Sequence, residues 1–256
     1  MSALQTRSIL GLKIHAVDTE GALSAIEEFI RSGAPHVVVT ADSSGVVLAQ
    51  SDAELREIVN SADLVTPDSV GILWAARRFG DPLPERVSGV DMVEHLCGRA
   101  AEAGYRVFLL GASPGVAEEA AFALQKRHPG LEIAGTHHGY FKPEESDAVA
   151  RKVRDSKPHI LFVAMGQPLQ EKWIARYKDE IGVPVSMGVG GTFDVLSGRR
   201  KRAPKWMQRC GLEWIYRLVC NPRKIGKCST LPVFVFKVLT AGKPHRSNGR
   251  GETKGR

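Results

Sequence analysis

Polar side chains capable of chemistry gather in three short stretches, each following an apolar run. Thr40-Ala41-Asp42-Ser43 comes first, then Thr66-Pro67-Asp68-Ser69, then Met165–Trp173 with Gln167 and Gln170 flanking a helix start. A fourth stretch, GVGGTFDVLSG from Gly188 to Gly198, offers glycines in place of side chains. A glycine turn after an apolar strand lets backbone N–H groups approach an anion such as a diphosphate. Directly behind it runs RRKRAPKWMQRCGLEWIYRL, Arg199 to Leu218, where basic and aromatic residues are interleaved. An anion cradle followed by a basic, Trp-bearing segment points to phosphate chemistry against a negatively charged surface.

Each of these signals has a plainer reading. An Asp placed like Asp68, between a strand and a helix, is more often an N-cap that accepts backbone N–H bonds. It is equally well placed to be a general base that takes a proton from a hydroxyl. The glycines of GVGGTFD suit a tight turn as well as a phosphate. They also come too late in the chain for a dinucleotide fingerprint, which opens an early βαβ unit. Gly111-Ala112-Ser113-Pro114-Gly115 is a second turn of the same kind and weak by itself. His137 and His138 have no acidic or cysteine partners at ligand spacing, so surface or packing roles fit them better than a metal.

The elements that must position these residues alternate through residue 198. Expected strands are His36–Thr40, Leu64–Thr66, Arg106–Gly111, Leu131–Gly135, His159–Met165 and Val185–Val189. Several are continuously apolar, as strands covered on both faces should be. Helical patterns fill Ser69–Phe79, Val90–Ala103, Pro114–Arg127, Glu144–Ser156 and Pro168–Lys178, with Pro114 and Pro168 placed as first-turn prolines. The expectation is an α/β fold, a Rossmann-like and mostly parallel sheet flanked by helices, with ligands at the carboxyl ends of its strands.

Charge divides the chain. Residues 199–256 hold 16 of the 35 Lys and Arg and 2 of the 28 Asp and Glu, a net of +14 against −7 for residues 1–198. Three parts follow: a body over 1–198, a basic appendage over 199–242, and a disordered tail over 243–256. Within the appendage 202–218 reads as an amphipathic helix, and Leu231–Leu239 reads as a segment that lies on a membrane without crossing it. The sheet pattern ends by residue 198, so the body is expected to keep its fold without the appendage. The four cysteines lack metal spacing and read as free thiols of a reducing cytoplasm. No signal peptide is apparent, and no run approaches the roughly 20 apolar residues of a bilayer span.

Taken in order, the motifs are far more specific than any one of them. TPD, WAAR, PLPERVSG, RVFLLGASPGVAE, HHGYF, MGQPLQEKW, GVGGTFDVLSGRRKRAPKW and GLEWIYRL, spread from Leu12 to Lys224, closely resemble the WecG/TagA/CpsF glycosyltransferases, glycosyltransferase family 26. The resemblance implies an inverting, metal-independent transferase without a cofactor. It would move a sugar from a UDP-sugar to a polyprenyl-diphosphate-linked saccharide at the cytoplasmic face of the membrane. N-acetylmannosamine, its uronic acid and glucose are the donor sugars used by relatives, and relatives self-associate. By the same resemblance Asp68 is the general base, with Thr40 beside it in the catalytic site. Arg86 meets the acceptor diphosphate. Asp42, Gln170, Gly190 and Gly191 line the substrate site, Asp194 contacts uracil or ribose, and Arg217 and Arg223 reach in from the appendage; Gly111 and Gln167, which sit in strand-end loops, are expected to join that lining. Three positions depart from the family pattern: Asp42 stands where Asn is usual, Ser69 where Gly is usual, and Leu169 where Lys is common.

Two other classes are weighed. A nicotinamide-dependent oxidoreductase needs the early glycine fingerprint that this chain lacks. A nucleic-acid-binding protein would use the basic tail, but Trp206, Trp214 and Leu231–Phe236 interleave apolar residues with the charge and favour an interfacial membrane role. The partners expected are therefore a UDP-sugar, a lipid-linked diphosphate acceptor and an anionic membrane surface, and not nucleic acid.

Overall fold

Ile160-Leu161-Phe162-Val163-Ala164 is buried at every position. A strand of that kind needs cover on both faces, and the computed structural model shows how it gets it. Leu161 and Val163 face one hydrophobic core, while Ile160, Phe162 and Ala164 face another. The structure describes residues 4–204, Met207, Tyr216 and residues 230–241.

In chain order, β1 (Thr6–Ile9) and β2 (Leu12–His15) form an antiparallel hairpin. Then come α1 (Thr19–Ser32), β3 (His36–Ala41), α2 (Ser43–Leu48), α3 (Ala53–Ser61), β4 (Leu64–Pro67), α4 (Val70–Arg78) and α5 (Gly89–Ala103). They are followed by β5 (Arg106–Gly111), α6 (Val116–Arg127), β6 (Glu132–His137), α7 (Ser146–Asp155), β7 (Ile160–Ala164) and α8 (Leu169–Ile181). The last described elements are β8 (Val185–Gly188), α9 (Thr192–Leu196) and α10 (Thr230–Thr240). Six strands make one sheet in the order β4-β3-β8-β7-β5-β6, and every neighbouring pair is parallel.

The two cores are the two faces of this sheet. One face is covered by α2, α3, α4, α7, α8 and α10, the other by α1, α5, α6 and α9. The adjacent strands β3 and β8 therefore send their following helices to opposite faces. Diverging helices leave a crevice at the carboxyl ends of the two strands between them, which is where open α/β sheets bind ligands.

Helix starts follow local chemistry. Asp18, Asp42, Asp52 and Ser69 cap α1, α2, α3 and α4, each accepting a bond from a backbone N–H three residues on. The first-turn prolines are corrected. Gly115, at φ +84°, is the N-cap of α6 and leaves Pro114 outside the helix, while Pro168 is itself the N-cap residue of α8. His15 is buried, and its Nδ1 accepts from the Val65 N–H at 2.9 Å. Burial, helped by the Lys13 charge, lowers its pKa to about 4.

The appendage does not lie wholly outside this packing. Phe234 and Val238 of α10 are fully buried in the core beside α2 and α4. Thr230 Oγ1 pairs with Ser44 Oγ of α2 at 3.0 Å, and Gly71 of α4 leaves the space that the Phe234 ring and the Ser43 hydroxyl fill. No strand follows β8 among the described residues, but the helical layer on this face includes α10. Loss of residues 199–256 would therefore remove Phe234 and Val238 from this core. The amphipathic helix of 202–218 and the tail of 243–256 lie for the most part outside the described residues.

Candidate active site

Thr40 and Thr66 are register partners on β3 and β4, as are Ala41 and Pro67. Asp42 and Asp68 therefore leave adjacent strands at the same level, and the Asp68 N–H donates to Ala41 O at 2.8 Å. Asp68 does not cap the helix that follows it. Ser69 takes that task, its Oγ accepting from Ile72 N–H at 3.2 Å. Relieved of capping, the Asp68 carboxylate turns to the start of α5, where Oδ2 accepts from Gly89 N–H at 3.1 Å. Its other oxygen faces Arg86, with Nε 3.8 Å away. The positive end of a 15-residue helix and a guanidinium thus bracket one half-buried carboxylate.

Thr40 is buried beside it. A side chain on Gly89 would meet Asp68 Oδ2 at 3.3 Å and the Thr40 methyl at 3.4 Å, so these three residues share one wall. The Thr40 hydroxyl donates to Gly188 O at 2.9 Å and stitches β3 to β8 across the crevice. Asp42 caps α2 through Oδ1, which accepts from Gly45 N–H at 2.7 Å. Gln167 reaches the same place from the β7 side, its Nε2 donating to Thr40 O at 3.3 Å.

The β8 end is built differently. Gln170 is 1% exposed, and its Oε1 accepts from Gly190 N–H at 2.9 Å and Gly166 N–H at 3.1 Å. Its Nε2 donates to the buried Glu171 at 2.8 Å, and the absent side chain of Gly188 makes room for the amide. In this arrangement Gln170 holds backbone, and the Gly190 N–H is engaged by it. Gly190, at φ +55°, supplies the left-handed turn that aims this N–H downward. Gly191 precedes α9, and Asp194 lies within that helix, its Oδ2 3.7 Å from Arg200 Nη2.

Gly111 closes β5 at φ +135°, and a Cβ there would come within 2.5 Å of the Ala164 backbone. It permits close approach of two strand ends. Two strand spacings, about 10 Å, separate it from β8. Arg217 and Arg223 lie outside the described residues. Two arginines that follow α9, Arg199 and Arg202, were not among the residues expected at the site. Arg199 forms a fork on Glu119 with both bonds at 2.6 Å, and Arg202 forms one on Asp91 at 2.5 and 2.7 Å. Burial works against the Asp91 carboxylate, yet the Arg202 fork, helped by the Arg86 charge, holds its pKa below the usual range. The basic run 199–202 carries a signal for such pairs, but their acidic partners are distant in sequence.

The profile of the Glycosyl transferase WecG/TagA/CpsF family matches residues 7–248. The chain belongs to this family. The match covers the sheet, the strap of Arg199–Ala203 and α10 without interruption. Among similar proteins are the N-acetylglucosaminyldiphosphoundecaprenol N-acetyl-β-D-mannosaminyltransferases of Staphylococcus aureus strains NCTC 8325 / PS 47 and COL. Each is 36% identical over 205 residues, which is 80% of this chain and 80% of the relative. Among the described residues no helix is long and apolar enough to cross a bilayer.

Proposed function

We propose that this chain transfers a sugar, with N-acetylmannosamine the first candidate, from a UDP-sugar to a saccharide on a polyprenyl diphosphate. The observation that carries the reading is the meeting of Asp68, Thr40 and Arg86 with the β8 glycine turn at the crevice between β3 and β8. Relatives whose names specify a lipid-diphosphate acceptor and an N-acetylmannosaminyl group support the substrate class.

Asp68 takes the proton of the acceptor hydroxyl as its oxygen attacks the anomeric carbon from the face opposite UDP. The bond from that carbon to the diphosphate oxygen breaks, its electron pair leaves with UDP, and the configuration inverts. Arg86 anchors the acceptor diphosphate through its planar fork. The donor lies along the ends of β8, β7 and β5, with Asp194 at its uracil or ribose and the turn at Gly191 beside its diphosphate. Arg217 and Arg223 add charge to the leaving group in place of a metal, since the sequence has no D-x-D triad to hold one. The basic appendage holds the enzyme at an anionic cytoplasmic leaflet, with Val233, Phe236 and Leu239 on the outward side of α10 adding apolar contact.

A panel of UDP-sugars, offered to the full chain with a synthetic polyprenyl-diphosphate N-acetylglucosamine, tests this. At least one donor should give an inverted product at the same rate with and without EDTA. Transfer from none of them overturns the donor and acceptor assignment, and a loss in EDTA that Mg²⁺ restores overturns metal independence.

A further inference from the structure

Arg199, Arg200 and Arg202 form a strap across the carboxyl edge of the sheet, and each faces an acid on a different helix. Arg199 is locked to Glu119 of α6 and Arg202 to Asp91 of α5, both through two short bonds. Arg200 is not locked. Its closest carboxylate contact is Asp194 Oδ2 at 3.7 Å, beyond hydrogen-bond length. Its backbone N–H donates to Asp194 O at 2.7 Å, so the main chain is anchored while the guanidinium donors stay unused among the described residues. The side chain is 29% exposed, so most of its surface is already out of water.

Its position is the second half of the argument. A Cβ built on Gly191 would stand 3.8 Å from Arg200 Nη1 and 4.0 Å from Asp194 Oδ2. The guanidinium thus borders the β8 turn on the side where glycine leaves open space. One backbone donor of that turn is already taken, because Gln170 engages the Gly190 N–H. A diphosphate arriving there loses that N–H but finds an Arg whose donors are unused among the described residues immediately beside it.

We infer that Arg200 is a ligand of the donor's diphosphate, kept in place before binding by its loose contact with Asp194. The diphosphate presents paired oxygens that a planar guanidinium meets with two parallel bonds, a stronger arrangement than one long contact to a carboxylate. The exchange also releases Asp194 to bond the nucleoside. This assignment rests on the reading that the β8 turn receives a nucleoside diphosphate.

Calorimetric titration of UDP into the full chain tests it, with Arg200→Gln, Arg200→Lys and Arg199→Gln in parallel. Arg200→Gln should weaken UDP binding about tenfold to a hundredfold, the range of lost charge-assisted hydrogen bonds. Arg200→Lys should fall between, since it keeps charge and loses the fork. Arg199→Gln removes an equal charge one residue away and should stay within about twofold of the parent. All variants should melt with the parent, because the side chain of Arg200 is outside both cores. UDP binding by Arg200→Gln equal to the parent's, or equal losses in the two Gln variants, overturns the inference and leaves the donor reading intact. A parent that binds no UDP overturns both.

Discussion

Two ends of one sheet, separated by a single strand interval, do opposite things with their side chains. At the ends of β3 and β4 the chain presents functional groups: Asp68 and Arg86 stand half-buried at the crevice, with Thr40 behind them. At the end of β8 it presents backbone, and the polar side chain there, Gln170, is sealed beneath the turn it supports. The difference follows from what each end has to do in the proposed reaction. Proton abstraction needs a specific side chain at a specific place, whereas a diphosphate needs room and an approachable main chain. Thr40 joins the two through its bond to Gly188 O, so they are neighbouring halves of one site with separable tasks.

Separability is open to direct attack. Asp68→Asn keeps the shape of the β4 end and can still accept from Gly89 N–H, but it removes the base. Transfer should fall roughly 10²- to 10⁴-fold, the usual cost of losing a general base. UDP affinity, read by calorimetry, should stay within about twofold, because the variant leaves the β8 end untouched. Near-normal turnover by the folded variant would remove Asp68 from the chemistry. A large loss of UDP affinity would show that the two ends act as one.

The converse variant is Gln170→Leu. It leaves the Gly166 and Gly190 N–H groups without their acceptor and takes a donor from Glu171 Oε1, all in a buried place. Each unmet buried group costs about 1–3 kcal/mol, so stability should fall by about 2–4 kcal/mol once the turn relaxes. The loosened turn should lose UDP affinity, with kcat at saturating donor much less affected than KM. Gln170→Glu keeps the acceptor for the two N–H groups but sets a second carboxyl against Glu171, so it should recover affinity only in part and more at low pH, where the two share a proton. A stable Gln170→Leu protein with normal UDP affinity would mean that the turn holds itself.

How much of this was legible in the sequence differs between the two ends. The β7 and β5 strands are plain in their continuous apolar runs, and the placing of Asp68 at a strand end is equally plain. Whether Asp68 or Ser69 caps α4 is not, because both are good cappers and adjacent. The answer depends on Gly89, which reaches Asp68 from 21 positions away. The burial of Gln170 is hidden for the same reason, since Gly188 makes its space from another strand. Helix α1 was open to reading through Asp18, Gly33 and the spacing of Ala22, Ile26, Phe29 and Ile30. The five residues of α9 are too few to show a period. The core role of α10 is invisible locally: its apolar residues suit a membrane as well as α2 and α4, and only tertiary contact assigns Phe234 and Val238 inward.

The finest test concerns Asp42, which sits at the level of Asp68 on the next strand. Its Oδ1 caps α2 at 2.7 Å from Gly45 N. Asn caps as well as Asp does, so Asp42→Asn should change stability by no more than about 0.5 kcal/mol. What changes is one negative charge beside a site that, on the proposed reading, must admit two diphosphates. A unit charge about 7 Å from another, at an effective dielectric of about 40–80, contributes about 0.6–1.2 kcal/mol. Removing it should therefore lower KM for donor or acceptor by about threefold to eightfold, less at high salt, with kcat nearly unchanged. Steady-state kinetics in both substrates will assign the charge to one end or the other. An effect on acceptor KM alone sharpens the division between the β3–β4 end and the β8 end. An equal effect on both places Asp42 on the boundary between them. A drop in kcat of the size expected for Asp68→Asn would break the division, because the work of the base would then be shared by two carboxylates.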